Sequence, residues 1–426
     1  MSVTVIFVAL IVFAFFGAHL VNRYASRVLP VSGAEYLVIG ALIGPQIPPR
    51  MLTTAALSQL TPLVSLLLGL TGFLVGLQVT RGFRGLRASL LGLAVALSTL
   101  LALSSLFAAL YGLLVPSGEP PLLQRWLFEL QGLQVELFLT RPQVAVAIVL
   151  AATGTVTFSS ALSGPENHRL AGVPAYRLLQ ACAFCGQWVA ICAVAGVLAW
   201  TRSEASTVVD LPAGGWFAGV LLLGIVLGIC FTLFIGREQS AARIFVVTIG
   251  TVTFGAGIGA ELGVSPIFVN LVAGATVALT SRHRSELQRE IQRLQHPISV
   301  LLLVLTGALW VPPASLTLWL FPVAYLAGRA LVRLLVPGLW TRLLTDVDPT
   351  RIGVGLMSQG TLAVAVAVDH ALQAQELAGL VLTTAIVGTL VFDVFAQGAL
   401  RRYLVDAEAE NAVSLPPSWV PREADR

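Results

Sequence analysis

The sequence predicts an all-α polytopic membrane protein, and its composition, apolar runs and arginine pattern carry that prediction. The chain has 426 residues, of which 57% are hydrophobic and only 11% charged, whereas soluble domains carry about 25% charged residues. Many apolar runs approach the ~20 residues that an α-helix needs to cross the hydrocarbon core. The basic residues flank these runs and form no single basic surface. We therefore expect the lipid bilayer, and no nucleic acid, as a partner.

Apolar runs between Gly, Pro and Arg punctuation predict about 13 transmembrane helices. The candidate spans are approximately residues 3–21, 30–46, 57–79, 88–114, 143–163, 175–200, 215–236, 241–261, 264–280, 297–311, 316–337, 351–371 and 376–399.

Arginine placement supports this count, because the predicted loops alternate between arginine-rich and arginine-poor. One set of loops, in which Arg333 is counted, holds most of the arginines, and the opposite set holds only Arg50, Arg125, Arg141 and Arg202. Since positively charged loops stay in the cytoplasm, we expect the N-terminus outside and the C-terminus in the cytoplasm. The pattern is typical of a multi-pass protein of a bacterial inner membrane.

Residues 1–404 are predicted to form one transmembrane domain, followed by a short polar cytoplasmic tail, 405–426, without stable structure. Segment 116–141 alternates polar and bulky apolar residues, which predicts an amphipathic helix on the outer membrane surface. Segment 281–296 is a basic helix-forming linker, which predicts contact with water and anionic headgroups. The four cysteines lie inside apolar spans, and we expect them to be buried small residues without a cofactor.

Two predicted spans carry polar, breakable midpoints. Thr153, Gly154 and Thr155 fall at the middle of span 143–163, and Ser358 to Thr361 fall at the middle of span 351–371. Glycine weakens a helix, and hydroxyl or amide groups can satisfy the backbone that a break sets free. By the loop count the two spans run in opposite directions, as an inverted repeat would require.

Several motifs occur in the order found in a known family. They are E-Y-L-V-I-G-A-L-I-G-P from Glu35, T-G-F-L-V-G-L from Thr71, A-A-T-G-T-V from Ala151, E-L-G-V-S-P-I-F-V-N-L-V-A-G from Glu261 and G-V-G-L-M-S-Q-G-T-L-A from Gly353. Together they resemble the cation:proton antiporters, also called sodium/hydrogen exchangers, and in particular the Kef-type branch. The resemblance implies a homodimer with an inverted-repeat fold, in which two discontinuous helices cross at mid-membrane around an ion site.

The chain departs from the family where the family has its titrating group. The helix that matches 175–200 there carries an Asn-Asp or Asp-Asp pair, and the matching positions here are Gly186 and Gln187. A carboxylate can hold either a cation or a proton, whereas glutamine cannot ionise. Among the remaining carboxylates Asp369 lies near a span end. Asp393 lies deeper, at a depth comparable to Arg329, and the two are either an ion pair or a displaced proton carrier with its partner.

Five residues form the predicted substrate or ion site: Gln187, Thr153, Thr155, Gln359 and Thr361. The predicted function is a secondary transporter of the monovalent cation:proton antiporter type, with alternating access and no metal beyond the transported cation. Two alternatives stay open. One is a transport-inactive membrane subunit that serves as a platform for a separate regulatory or effector subunit, and the other is an uncoupled solute uniporter. No H-E-x-x-H or G-x-S-x-G motif occurs within the spans, so an enzyme is not expected.

Overall fold

A computed structural model describes residues 33–47, 52–82, 85–114, 142–157, 174–205, 211–235, 241–281, 284–313, 316–344, 349–374 and 378–393. The predicted span 3–21, the segment 116–141 and the tail 405–426 lie outside these described residues. The helices are α1 Ala34–Ile43, α2 Thr54–Gln59, α3 Thr61–Leu77, α4 Val79–Gly82, α5 Leu86–Leu114, α6 Pro142–Thr155, α7 Pro174–Ala205, α8 Ala213–Ile235, α9 Ala241–Leu262, α10 Pro266–Thr280, α11 Arg284–Leu309, α12 Leu320–Leu344, α13 Pro349–Gly355, α14 Thr361–Gln373 and α15 Ala378–Asp393.

The described helices pack as two bundles. The first bundle consists of α1, α3, α8, α9, α10 and α11, and the second of α5, α6, α7, α12, α13 and α14. Helix α15 joins the second bundle, where Asp393 and Gly388 touch the segment between α13 and α14. The bundles meet where α14 packs against α3, α10 and α11, and where α7 packs against α8. Five described helices, among them α7 and α12, are long and apolar enough to cross a membrane.

Close glycine contacts hold the first bundle together. Gly72 and Gly76 on α3 bring that helix against the backbone of α10, and a side chain at Gly76 would strike the carbonyl of Leu271. Gly40 on α1 lies in the same way on the carbonyl of Val304 in α11. Small residues four apart let membrane helices approach closely, so that van der Waals contact replaces the missing hydrophobic drive. The glycines of the family-like motifs in α1 and α3 therefore have a packing role.

Helical structure ends near the polar midpoints of two predicted spans, as those midpoints predict. Helix α6 ends at Thr155, and residues 156–157 continue it without helical hydrogen bonds. Helix α13 ends at Gly355, and α14 begins at Thr361 after Gly360, whose φ of +73° lies in the left-handed region that favours glycine. The ends of α6 and α13 and the start of α14 meet in the second bundle through the side chains described below.

Two element boundaries differ from the sequence prediction. The basic segment 281–296 and the short span 297–311 form one helix, α11, which contains Pro297. The N-terminal half of α11 buries Leu287 and Ile291, so it packs on the protein as well as facing solvent. Helix α12 continues to Leu344, beyond the predicted end of span 316–337. Arg333, counted above with the loop arginines although it precedes the predicted end of the span, lies inside this helix and is only 1% exposed.

Candidate functional site

Two buried arginines bind the open end of α6. Arg329 and Arg333 lie one turn apart on α12 and are 0% and 1% exposed. Arg329 Nε donates to the Gly154 carbonyl at 3.1 Å and its Nη2 to the Val156 carbonyl at 3.1 Å. Arg333 donates to the carbonyls of Gly154 (3.2 Å), Thr155 and Val156 (3.2 Å). A helix C-terminus carries about half a negative charge on its free carbonyls, so the guanidinium groups supply both the donors and the opposite charge that α6 lacks.

Arg329 also reaches the second break. Its Nη1 donates to the Met357 carbonyl at 2.6 Å and its Nη2 to the Ser358 carbonyl at 3.4 Å. The guanidinium lies over the ring of Phe392, 4.4 Å from the centroid, where the face of the ring attracts a cation. One side chain thus connects the end of α6, the segment after α13 and the helix α15.

Asp393 caps the start of α14. Its Oδ1 accepts hydrogen bonds from the backbone N–H groups of Gln359 (2.8 Å) and Gly360 (3.0 Å), and Oδ2 accepts from Gly360 at 3.2 Å. A helix N-terminus carries free N–H groups and partial positive charge, which a carboxylate satisfies. Arg329 donates to backbone carbonyls and not to this carboxylate, so within the described residues the two predicted partners bind backbone and not each other.

Tyr325 ties the two broken segments together. The Gln359 amide Nε2 donates to the Tyr325 hydroxyl at 2.8 Å, and this hydroxyl lies 3.3 Å from Thr153 Oγ1. The Tyr325 ring stacks on Phe107 with centroids 5.4 Å apart. The hydroxyls of Thr153 and Thr155 donate to carbonyls of α6 itself. Both threonines thus use their hydroxyl hydrogens within α6, and neither lines the cavity described below.

Gln187 lies at mid-length of α7, 2% exposed, against the break after α6. Its Nε2 donates to the Thr157 carbonyl at 3.2 Å, while its Oε1 has no hydrogen-bond partner. The neighbouring Gly186 lies against the Thr155 carbonyl, and a Cβ there would come within 2.7 Å of that oxygen. The glycine thus allows the end of α6 to approach α7. A larger residue at this position, such as Asn or Asp, would push the end of α6 away from α7.

A cavity of about 40 Å³ lies between the two bundles beside this break. The second bundle contributes Thr157, Gln187 and the residues from Gln359 to Leu362, and the first bundle contributes residues from α3 and α11. The polar side chains around it are amides and hydroxyls: Thr71, Gln78, Thr157, Gln187, Gln295, Ser299, Gln359 and Thr361. Among the residues that the structure describes, none that lines the cavity is ionisable. Because one water needs about 10–15 Å³ by this measure, the cavity has room for roughly three.

The structure brings three of the five predicted site residues to the cavity: Gln187, Gln359 and Thr361. The prediction missed Thr157, which follows α6 and whose hydroxyl donates to the Leu356 carbonyl at 3.4 Å. It also missed Arg333, although its four-residue spacing from Arg329 places both arginines on one helix face. Gln295 was missed because it was assigned to a solvated linker.

Comparison with known proteins identifies the fold. No protein-family model and no curated protein matches the sequence. Among solved structures the chain is similar to the sodium proton antiporter MjNhaP1 from Methanocaldococcus jannaschii at pH 8, with a TM-score of 0.65 and 13% identity over 96% of this chain and 100% of that one. An electron-microscopy map of the same antiporter matches with a TM-score of 0.59 and 14% identity over 99% and 100% of the two chains.

The described part of the chain is an all-helical membrane protein with several long apolar helices. The particular fold is that of the NhaP1 sodium/proton antiporter, at an identity that establishes the fold alone.

Proposed function

We propose that the protein is a secondary transporter of the monovalent cation:proton antiporter type, with the cavity between the two bundles as its substrate site. The observation that carries the proposal is the position of this cavity. It lies at the breaks, where Thr157, Gln187 and Gly360 of the second bundle face α3 and α11 of the first. In transporters built on discontinuous helices, substrates bind at such mid-membrane breaks.

The lining chemistry suits a small, partly hydrated cation. Amide and hydroxyl oxygens replace the hydration shell of Na⁺ or K⁺, as backbone carbonyls do in selectivity filters. The free Oε1 of Gln187 is one such acceptor. Asp393 binds the N–H of Gly360, itself a lining residue, and so places a carboxyl group directly behind the cavity wall.

Access to the cavity alternates, on this proposal, by movement of one bundle against the other. The cavity lies at one end of the interface between bundles, next to Gln78 after α3 and Gln295 in α11. At the other end the bundles touch directly, and Trp310 Nε1 donates to Thr383 Oγ1 at 2.9 Å. The homodimer and the orientation of the termini remain predictions.

A second candidate is an uncoupled uniporter for a small polar solute. The observation in its favour is the set of described lining residues, whose polar side chains are amides and hydroxyls without a group that titrates. A coupled antiporter needs a titrating group elsewhere, and a uniporter does not. The platform subunit is a third possibility and predicts no flux at all.

Flux in proteoliposomes distinguishes these candidates. Purified protein is reconstituted with a pH-sensitive dye, and Na⁺, K⁺ or Li⁺ is added against an imposed pH gradient. Antiport predicts proton movement on a cation pulse, and Gln187→Leu, which removes the free amide oxygen at similar size, should abolish it. Leu318→Ala, a half-buried position outside the cavity lining, serves as a matched control. Cation uptake without proton movement would favour the uniporter, and no flux with any cation would refute transport of these ions.

A further inference from the structure

A second buried carboxylate lies where α14 meets α10. Asp369 is 2% exposed, and its Oδ2 accepts a hydrogen bond from Ser265 Oγ at 2.5 Å. Ser265 is the N-cap of α10, and its Oγ in turn accepts from the N–H of Phe268 at 3.1 Å. Asp369 Oδ1 has no hydrogen-bond partner.

This contact connects the two bundles at the end away from the cavity. Asp369 belongs to the second bundle and Ser265 to the first. Asp369 is eight residues beyond Thr361 on α14, which is about 12 Å at 1.5 Å per residue. The hydrogen bond between Trp310 and Thr383 also joins the bundles outside the cavity, and neither of its partners can ionise. Of the two described polar contacts that join the bundles at this end, the one made by Asp369 therefore contains a titratable group.

Few charged groups face Asp369 from the helices packed against α14. Helices α3, α6 and α10 contain no ionisable side chain, and those of α11 precede Pro297, at the end near the cavity. Helix α7 brings Arg202 to this end, where it lies near Gly263 and over the ring of Trp216. Glu261 at the end of α9 is exposed.

The adjacent His370 provides no counter-charge in its buried state. It is 2% exposed, and both ring nitrogens lack hydrogen-bond partners. A charged imidazolium with two unsatisfied donors is costly in a buried site, so the ring is neutral when α14 is packed as observed. Asp369 thus has one described donor, Ser265, on Oδ2, none on Oδ1, and no cation among its described hydrogen-bond partners.

We propose that Asp369 is a proton-binding site that latches the two bundles together at the end opposite the cavity. The proton forms an O–H bond at Oδ1, the oxygen without a partner, and the neutral acid stays buried while Oδ2 keeps its bond to Ser265. Loss of the proton to water leaves an ionised carboxylate, which hydrocarbon disfavours. The contact then separates, and water enters between α14 and α10.

Position 187 holds a glutamine, which cannot bind and release a proton, and the latch offers another site where a proton can be coupled to movement. This coupling role rests on the proposed transport function. Coupling would be conformational, because Asp369 and the cavity lie about two helix turns apart along α14. A closed, protonated latch holds the bundles as observed, with the cavity at the other end. An open, ionised latch admits water from its own side.

The test measures the opening of the latch directly and requires no transport. Val264, which is 2% exposed beside Ser265, is replaced by cysteine after substitution of Cys182, Cys185, Cys192 and Cys230. The rate of maleimide labelling is followed from about pH 5 to about pH 9, which spans the carboxyl and imidazole ranges. Each rate is divided by the rate of the same cysteine in an added Asp369→Asn background at the same pH, which cancels the intrinsic reactivity of the thiol.

The ratio should rise with pH by up to about tenfold per unit, as the release of one proton requires. Adding Trp310→Phe, which removes the non-ionising contact, should speed labelling at every pH and leave this slope unchanged, and His370→Phe should also keep the slope. A flat ratio would overturn the proposal, and so would a slope that disappears with His370→Phe. Because the measurement is independent of flux, a pH-dependent latch in a protein without ion transport would refute the proposed function and leave this inference intact.

Discussion

The two arginines of α12 share the carbonyl groups that they bind, and this sharing predicts how their substitutions combine. Gly154 and Val156 carbonyls accept from both Arg329 and Arg333. Thr155 accepts from Arg333, whereas Met357 and Ser358 accept from Arg329. Arg333→Met therefore leaves one carbonyl without its arginine donor, Arg329→Met leaves two, and the double substitution leaves five.

The free-energy change follows from these numbers. A buried polar group that loses its partner costs about 1–3 kcal/mol. Arg333→Met should therefore cost about 1–3 kcal/mol and Arg329→Met about 2–6 kcal/mol. The double substitution should exceed the sum of the two by about 2–6 kcal/mol, because the two shared carbonyls lose their donors only then. Relief of burying the charges lowers each value, but the relief in the double variant is the sum of the reliefs in the single variants and therefore cancels in the excess. Relief of repulsion between the arginines acts in the same direction as the excess.

The assay is unfolding of the purified protein in detergent, by heat or denaturant, for the parent, both single variants and the double variant. Arg342→Met, an exposed arginine near the end of the same helix, should change stability by less than about 0.5 kcal/mol. A folded double variant whose loss equals the sum of the single losses would refute the shared-carbonyl geometry. Arg333→Met costing more than Arg329→Met would refute the assignment of donors.

Three further substitutions test other parts of the site and the fold. Asp393→Asn removes the charge from the cap of α14 and should cost about 1–3 kcal/mol in unfolding experiments. If Asp393 only caps the helix, the pH dependence of flux stays unchanged in this variant. Disappearance of that pH dependence would instead support Asp393 as the proton carrier. Gln187→Asp places an ionisable group at the cavity, so cation-driven proton movement should appear or increase in the dye assay, and an unchanged signal would remove this cavity from the transport path. Gly76→Ala should destabilise the protein, because the added Cβ would strike the Leu271 carbonyl. The control Gly250→Ala has open space around its Cβ and should be neutral or stabilising by up to about 1 kcal/mol. Equal melting temperatures for the two variants would contradict the packing of α3 on α10.

The positions of the helix breaks could be predicted from sequence because local chemistry determines them. Glycine beside hydroxyl and amide groups in the middle of an apolar run indicates a break whatever the tertiary structure, and Thr155 and Gly360 lie at the observed helix ends. The donors that satisfy those breaks could not be predicted so directly. Arg333 was assigned to a loop because arginine usually marks the end of a span, and only the carbonyls of α6 explain why it is buried.

The role of Asp369 shows a second limit of sequence analysis. It lies near a predicted span end and was given no part in the predicted site. In the structure α14 is a half-length helix that begins at the break, and Ser265 at the start of α10 covers the carboxyl group. Depth estimated from span length is therefore misleading for discontinuous helices. The pairing with Ser265 depends on a contact between residues 104 positions apart in the chain.

A movement of the second bundle would also carry buried charge through the membrane field. Arg329 and Arg333, which bind the breaks, and the carboxylate of Asp393 leave one net positive charge among them while Asp369 is protonated, and arginine keeps its charge at any physiological pH. Moving one elementary charge across a full membrane potential changes the energy by about 2.3 kcal/mol per 100 mV. A bundle that carries this charge through half of the field would gain or lose about 1.2 kcal/mol at 100 mV. The donors that hold the broken helices would then act as a gating charge, and membrane voltage would bias which side of the membrane the cavity faces.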